Sequence, residues 1–185
     1  MAERFNATVL KTVVAQVTLS SNLSPSAMNI INYLSLLRFF CNIWITRIIK
    51  TMKIFILSYV SAFIVMLPLD AFWLFFATSR VYKPRIGHLL AAQPDLLAAG
   101  LFYLLYVAGM VFFVILPDIR SGATPFYTFI HGAFFGLVAY ATFDLTSQAL
   151  LRDWSWQVTM IDLIWGSLLT GTVVLSAVII VRYFS

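Results

Sequence analysis

Residues 131–146 read His-Gly-Ala-Phe-Phe-Gly-Leu-Val-Ala-Tyr-Ala-Thr-Phe-Asp-Leu-Thr, an apolar run that carries one carboxylate near its end. Four residues spaced four apart share one helical face: Gly132, Gly136, Tyr140 and Asp144. Small residues at this spacing let membrane helices approach closely. An ionisable group at membrane depth is costly and by default marks a functional site. The stretch therefore predicts a membrane helix whose aspartate, Asp144, faces the interior of a helix bundle.

The whole chain is too apolar for a soluble protein. Of its 185 residues, 62% are hydrophobic and only 10% are charged, and the mean hydropathy is +0.94. Soluble domains carry about 25% charged residues. A soluble core of this size could not hide so much apolar surface, because small domains leave a large fraction of their surface exposed. The composition indicates an integral membrane protein that forms one compact helical bundle.

Charge and cysteine content exclude several other classes. The 12 Lys and Arg residues give a net charge of +5 but are spread along the chain. A nucleic-acid-binding protein needs a clustered basic face, so no nucleic-acid partner is expected and the lipid bilayer is the predicted surrounding. The aromatic residues lie in or beside apolar runs, which is typical of lipid-facing and interfacial positions. The single cysteine, Cys41, excludes an intramolecular disulfide and a multi-cysteine metal site.

Four apolar runs are long enough to cross a bilayer as helices, which takes roughly 20 residues. The predicted spans are residues 54–77, 96–116, 125–151 and 157–183, within a membrane domain of residues 52–185. A polar link of residues 78–95 joins the first two spans. The other two connections are short, so neighbouring spans are expected to be adjacent and antiparallel. The predicted fold is an all-α integral membrane protein with a four-helix transmembrane bundle.

Residues 1–51 differ from the rest of the chain. Residues 29–46 place polar side chains on one helical stripe, which favours an N-terminal amphipathic helix in the membrane interface; a fifth span is the alternative. Met52-Lys53 followed by an apolar run is typical of the start of a bacterial membrane protein. We therefore interpret residues 1–51 as a partly disordered extension upstream of the native start. Mass spectrometry of the native N-terminus tests this interpretation.

Three aspartates from three spans are expected at one depth. Asp70 and Asp144 each lie seven residues before the end of a predicted span, and Asp162 lies five residues after the start of another. At 1.5 Å of rise per residue, all three lie roughly 7–11 Å below an interface. Because neighbouring spans are antiparallel, all three aspartates are expected near the same side of the membrane. The sequence thus predicts a buried cluster of three carboxylates.

Several hydroxyl and indole groups belong to the same candidate polar site. Asp70-x-x-Trp73 and Asp162-x-x-Trp165 repeat an acid and an indole one turn apart. The complete candidate set is Asp70, Asp144, Asp162, Trp73, Trp165, Tyr140, Tyr103 and Thr146. The alternatives are that each acid is a hydrogen-bonded structural group, that Tyr and Trp anchor the chain at the interface, and that the glycines serve packing alone.

Some stretches resemble a known family. They are Leu69-Asp70-Ala-Phe-Trp73-Leu, Gly87-His88-Leu-Leu, Leu101-Phe-Tyr-Leu-Leu-Tyr106, Gly136-Leu-Val-Ala-Tyr140-Ala-Thr-Phe-Asp144-Leu-Thr146 and Asp162-Leu-Ile-Trp165-Gly166. From about Met52 to Tyr183 the chain resembles the bacterial "domain of unknown function 2177" predicted membrane proteins, although Ser147 stands where that family often has Asn. The resemblance implies a multi-pass protein of the bacterial inner membrane. It implies no activity, and it links the chain to membrane-lipid metabolism or stress only through genes sometimes found near lipid-modifying enzymes.

The sequence is compatible with three functional hypotheses, and only one of them makes the protein an enzyme. In the first, it is a small proton-coupled carrier, because burial and neighbouring acids favour a protonated carboxyl. In the second, it is an enzyme or accessory subunit acting on a lipid substrate, with the three aspartates as acid/base groups or as ligands of a divalent cation such as Mg²⁺, Ca²⁺ or Mn²⁺. In the third, it is a structural or assembly factor for a partner membrane protein, and the acids only join helices.

Overall fold

The computed structural model describes residues 25–184, and it describes the side chains from residue 34 to residue 184. This part of the chain is helical apart from short connections and contains no strand. The α-helices are α1 (Pro25–Ala77), α2 (Lys83–Ile86), α3 (Leu96–Met110), α4 (Leu116–Ser121), α5 (Pro125–Leu150) and α6 (Trp156–Phe184). Four helical stretches are long and apolar enough to cross a membrane. The predicted all-α membrane fold is confirmed.

The chain divides between Lys50 and Thr51 into two units. In the first unit, the described residues from Pro25 onward are helical, and the side chains of residues 34–50 are exposed. These residues include most of the predicted amphipathic helix 29–46, whose position in the membrane interface stays a prediction. The residues before Pro25, where part of the extension was expected to be disordered, lie outside the described residues.

In the second unit, α6 is the most buried membrane helix: half of its most apolar 18-residue window, 50%, is covered by the rest of the protein. The core joins valines of α6 to apolar residues of α3 and of the π-helical turn Val111–Ile115 that follows it. The fully buried members are Val107, Met110, Val111, Ile115, Val173, Val174 and Ala177. Ala62 and Met66 of α1 complete this cluster. The core therefore lies between α1, α3 and α6.

Helices α5 and α6 form the most extensive helix–helix contact of the described chain, and glycines make it possible. A Cβ atom at Gly132 would lie 2.8 Å from Cβ of Val174, and one at Gly136 would lie 2.7 Å from Cβ of Thr170. Only glycine fits at this approach. The four-residue stripe on α5 thus faces α6, and small residues supply the close packing that membrane helices need.

Two π-helical turns extend the helices beyond the predicted spans. Each ends two residues before a proline: Thr78–Tyr82 precedes Pro84, and Val111–Ile115 precedes Pro117. A proline has no N–H for the carbonyl four residues earlier, and a widened turn accommodates the loss. At Pro84 the lost donor is replaced by Arg85, whose Nη1 donates to the carbonyl oxygen of Arg80 at 3.1 Å.

The sequence-based limits of the first two spans change accordingly. Residues 78–89, expected to lie in a polar link, are helical, because the chain continues through the π-helical turn, α2 and the 3₁₀ turn Gly87–Leu89. The second span continues through α4 to Ser121 and ends at Gly122, whose φ of 67° is left-handed. Polar side chains and prolines indicated breaks here, but the widened π-helical turns carry each helix past its proline.

Candidate functional site

Asp70 joins three membrane helices. It lies on α1 and is 5% exposed. The hydroxyl of Tyr103 on α3 donates to its Oδ2 at 2.6 Å, and Nε1 of Trp165 on α6 donates to its Oδ1 at 3.3 Å. Both carboxylate oxygens therefore have a donor from another helix. Bonds to a charged acceptor are among the stronger hydrogen bonds in proteins, so Asp70 connects α1 to α3 and α6.

Asp162 is bonded through a second, parallel set of groups. It lies on α6 and is 8% exposed. The hydroxyl of Tyr82 donates to its Oδ1 at 2.7 Å, and the same Tyr82 oxygen accepts a bond from Nε1 of Trp73 at 3.0 Å. Tyr82 is the last residue of the π-helical turn after α1. Asp162 is thus connected to the first span through Tyr82 and Trp73.

The two sets of bonds meet at a pair of stacked indoles. The rings of Trp73 and Trp165 have centroids 4.3 Å apart and planes inclined by 9°. Trp165 donates to Asp70, while Trp73 reaches Asp162 through Tyr82. Contacts therefore run from one acid to the other through three aromatic side chains. We call these five residues the aspartate–tryptophan network.

Asp144 differs from the other two aspartates. It lies on α5 and is only 1% exposed. Both of its carboxylate oxygens are buried, and neither has a hydrogen-bond partner among the residues that the structure describes. The residue lies one helical turn after Tyr140, which packs on Gly166, and Asp162 lies one turn before Gly166 on the facing helix α6. Burying a charged carboxylate without a partner is very costly. This side chain therefore favours an added proton, a water molecule or a ligand with a donor.

A second unpaired oxygen follows Asp144 one helical turn later. The amide of Gln148 donates through Nε2 to the carbonyl oxygen of Trp154 at 3.4 Å, while its own Oε1 is buried and has no partner within the described chain. Residues four apart lie on the same face of a helix. Asp144 and Gln148 thus present three buried oxygens that accept hydrogen bonds, in a protein interior that supplies no donor for them.

The remaining predicted site residues divide into two groups. The ring of Tyr140 packs on Gly166, where a Cβ atom would lie 2.7 Å from Cδ1 of the ring. Gly166 directly follows Trp165 of the network along α6, so Tyr140 lies beside the network. Thr146 does not: it is exposed, and its hydroxyl donates to the carbonyl oxygens of its own helix at Thr142 and Phe143.

Sequence reasoning missed Tyr82. It falls in the predicted polar link, and no periodicity continues from the first span to it. Only the π-helical turn carries the helix to Tyr82 and turns its hydroxyl towards Asp162. The proline at position 84 was the one available signal, because a proline in a helix is a common cause of such turns.

The other end of the bundle holds a separate polar group. Asp118 of α4 is 2% exposed, and its Oδ1 lies 2.9 Å from Nδ1 of His131 on α5. Arg182 near the end of α6 donates through Nη2 to the carbonyl oxygens of Asp118 at 3.1 Å and Ala123 at 2.8 Å. His131 therefore has a buried acidic partner, and Arg182 binds the turn that connects α4 and α5.

The suitability of the three aspartates as ligands of a metal ion depends on how they are grouped and bonded. Among the side chains described, no three His, Cys, Asp or Glu residues are grouped so that they could hold a metal ion. Two oxygens of Asp70 and one of Asp162 are already occupied by Tyr and Trp donors. At Asp70 and Asp162, these hydrogen bonds would therefore compete with the binding of a divalent cation.

Comparison with protein families identifies the chain at the family level. The profile of a family described as "predicted membrane protein (DUF2177)" matches residues 55–179. The chain belongs to this family. The match reaches all four stretches that are long and apolar enough to cross a membrane and includes all three aspartates, so the network is part of the family domain. No curated protein and no solved structure matches the chain.

Proposed function

We propose that this protein is a small proton-coupled carrier of the bacterial inner membrane and that Asp144 is its proton-exchanging group. The observation that carries the proposal is the contrast between the acids. Asp70 and Asp162 accept bonds from tyrosine or tryptophan, whereas neither oxygen of Asp144 has a partner in the described part of the protein. A carboxyl without fixed partners is free to gain and lose a proton as its surroundings change.

The burial of Asp144, which is 1% exposed, makes the charged form of its side chain costly. In a membrane interior, an unpaired carboxylate is far less stable than the neutral acid. Asp162 lies at the facing position of α6, and two neighbouring carboxylates are not both charged without a large cost. A cationic or donor-rich solute that reaches Asp144 would displace its proton. This exchange couples solute binding to proton movement.

The way in which the first span is attached supports a moving part. Its contacts with α3 and α6 include several made by long side chains, such as the bond from the Tyr59 hydroxyl to the carbonyl oxygen of Leu104 at 2.9 Å and the stack of Trp73 on Trp165. Helices α5 and α6, by contrast, meet backbone to backbone at their glycines. Transporters change access by shifting one part of a bundle against another. Side-chain contacts can be exchanged during such a shift.

Electrical recording from proteoliposomes on a solid-supported membrane tests the proposal. Wild-type protein is expected to give proton-coupled currents when solutes from a panel of amines, amino acids and organic cations are added. Asp144→Asn is expected to abolish these currents while the protein stays folded. Asp153→Asn is the matched control, because Asp153 is exposed and has a φ of 59°, a conformation that asparagine tolerates well. Currents that persist in Asp144→Asn would contradict the proposal.

A second candidate is a structural role without chemistry, and the bonds of Asp70 and Asp162 favour it. Each acid joins the first span to α6, and Asp70 also reaches α3. If Asp144→Asn keeps full function in a complementation test while Asp70→Asn and Asp162→Asn only lower stability, this candidate replaces the carrier. A role in lipid metabolism gains no support from the family description, which names no reaction.

A further inference from the structure

We infer that a groove beside the π-helical turn Thr78–Tyr82 binds the phosphate of an anionic phospholipid. The groove has a volume of about 720 Å³. Phe72, Phe75 and Phe76 line its apolar part, and Arg80 and Lys83 line its charged part. All of these residues lie outside the aspartate–tryptophan network, so the inference does not depend on the carrier proposal.

The two cations of the groove are free of acidic partners in the part of the chain that the structure describes. The ion pair found there joins His131 to Asp118, at the other end of the bundle. The guanidinium of Arg80 lies 4.3 Å from the ring centroid of Phe76, so a cation–π contact holds it at the edge of the groove. Lys83 is exposed. Arg80 and Lys83 are three residues apart on neighbouring helical turns, which suits two donors on one phosphate.

Arg85, a third basic residue near the groove, differs from Arg80 and Lys83 because its guanidinium is hydrogen-bonded within the protein. Its Nε donates to Oε1 of Gln157 on α6 at 2.6 Å, and its Nη1 donates to the carbonyl oxygens of Arg80 and Val81 at 3.1 and 3.2 Å. Arg85 therefore stabilises the turn. Arg80 and Lys83 are left facing the groove with their charge unpaired by any described acid.

The order of residues along the groove matches the order of groups in a phospholipid. Phe72 is 70% exposed and Phe75 is 86% exposed, so both present apolar rings to the surrounding acyl chains. Arg80 and Lys83 follow towards the end of the span, where basic side chains reach the headgroup region. An anionic lipid would place one acyl chain along the phenylalanines and its phosphate against the two cations. A zwitterionic lipid with a choline group would bring a positive charge to the same cations.

Native mass spectrometry of the purified full chain, with phosphatidylglycerol or phosphatidylcholine added, tests the inference. Wild-type protein is expected to retain phosphatidylglycerol and to retain phosphatidylcholine much less. The double variant Arg80→Gln/Lys83→Gln is expected to lower phosphatidylglycerol affinity by about ten-fold or more, given the attraction of each basic residue to anionic lipid. Arg120→Gln/Arg152→Gln is the matched control: both residues are exposed and lie outside the groove, so retention should stay at the wild-type level.

Each other outcome overturns the inference. Equal losses in the two double variants would mean that total charge, rather than the groove, attracts the lipid. Unchanged binding in Arg80→Gln/Lys83→Gln, or equal retention of the two lipids by wild type, would mean that the groove has no phosphate site. Ser79→Glu keeps both cations and adds a negative charge at an exposed residue of the groove. If the double variant does not fold, Ser79→Glu alone must lower phosphatidylglycerol retention for the inference to stand.

Discussion

The indole rings of Trp73 and Trp165 stack face to face at 4.3 Å, and their N–H groups serve two different buried aspartates. Trp165 donates directly to Asp70, while Trp73 reaches Asp162 through the hydroxyl of Tyr82. The stack therefore connects the first span to α6 through an apolar ring contact, and each indole N–H adds a hydrogen bond. Aromatic pairs of this kind stabilise a fold beyond their buried area.

The variant Trp165→Phe distinguishes the contribution of the ring stack from that of the hydrogen bond to Asp70. Phenylalanine keeps a ring against Trp73 but removes the N–H that reaches Asp70. We expect the free energy of unfolding to fall by about 1–3 kcal/mol, because a buried acceptor loses a donor. Denaturant titration in detergent micelles measures this change. Trp156→Phe, at a tryptophan that is 60% exposed, should change stability little. Equal losses in the two variants would contradict the assigned bond.

Tyr82→Phe tests the π-helical turn as a positioning element. The variant removes one hydroxyl that donates to Asp162 and accepts from Trp73, so two buried groups lose their partner. We expect a loss of roughly 2–4 kcal/mol in unfolding free energy, larger than that of Trp165→Phe. Tyr183→Phe, at a tyrosine that is 82% exposed, is the control. A Tyr82→Phe protein as stable as the control would show that the turn does not hold Asp162.

Asp144→Asn and Asp70→Asn should affect stability in opposite ways. Asp70 accepts two bonds, and an amide replaces one accepting oxygen by a donor, which should cost about 1–3 kcal/mol of unfolding free energy. Asp144 has no partner to lose within the described chain, so Asp144→Asn should be neutral or slightly stabilising. Parallel thermal unfolding of the two variants in the same detergent measures the difference. A clear loss in Asp144→Asn would mean that this carboxyl has a structural partner.

Gly136→Ala should separate α5 from α6. A Cβ atom there would lie 2.5 Å from Oγ1 and 2.7 Å from Cβ of Thr170, and it would also meet the carbonyl oxygen of Gly166. The backbone cannot yield at such a contact, so we expect a loss of at least about 1–3 kcal/mol or failure to fold. Gly100→Ala is the matched control, since nothing lies within 4 Å of the added atom. Fluorescence-detected size-exclusion chromatography compares the two. A monodisperse, fully stable Gly136→Ala would contradict the packing.

Helix periodicity accounts for most of what could be predicted about the site. It placed Asp144 on the inward face of its span, while the antiparallel alternation of the spans placed Asp70, Asp144 and Asp162 at one depth; all three are buried. It also argues against Thr146, because two residues correspond to about 200° around a helix and carry a side chain to the opposite face from Asp144. Thr146 is exposed in the structure. Its inclusion followed its place in the sequence stretch rather than its helical face.

Helix periodicity could not predict the role of Tyr82 or which of the three aspartates has hydrogen-bond partners. A π-helical turn shifts every following side chain out of the 3.6-residue register, so the partner of Asp162 depends on where the turn widens. Whether a carboxylate meets a donor depends on which side chains the neighbouring helices bring to it. Asp70 and Asp162 stand in the same Asp-x-x-Trp pattern, yet Asp70 binds the indole of the other motif and Asp162 binds a tyrosine.

The amino-acid sequence by itself determined that this is an all-α membrane protein with four spans, three of which contain an aspartate, because hydropathy, length and helical spacing are local properties of the chain. Tertiary structure alone decided that Asp70 and Asp162 are bonded, while Asp144 has no hydrogen-bond partner among the described residues. It also decided that Arg80 and Lys83 face a groove while Arg85 is bound within the fold. These distinctions depend on which side chains of different helices meet, and hydrogen bonding over a few ångströms is set by packing rather than by spacing along the chain.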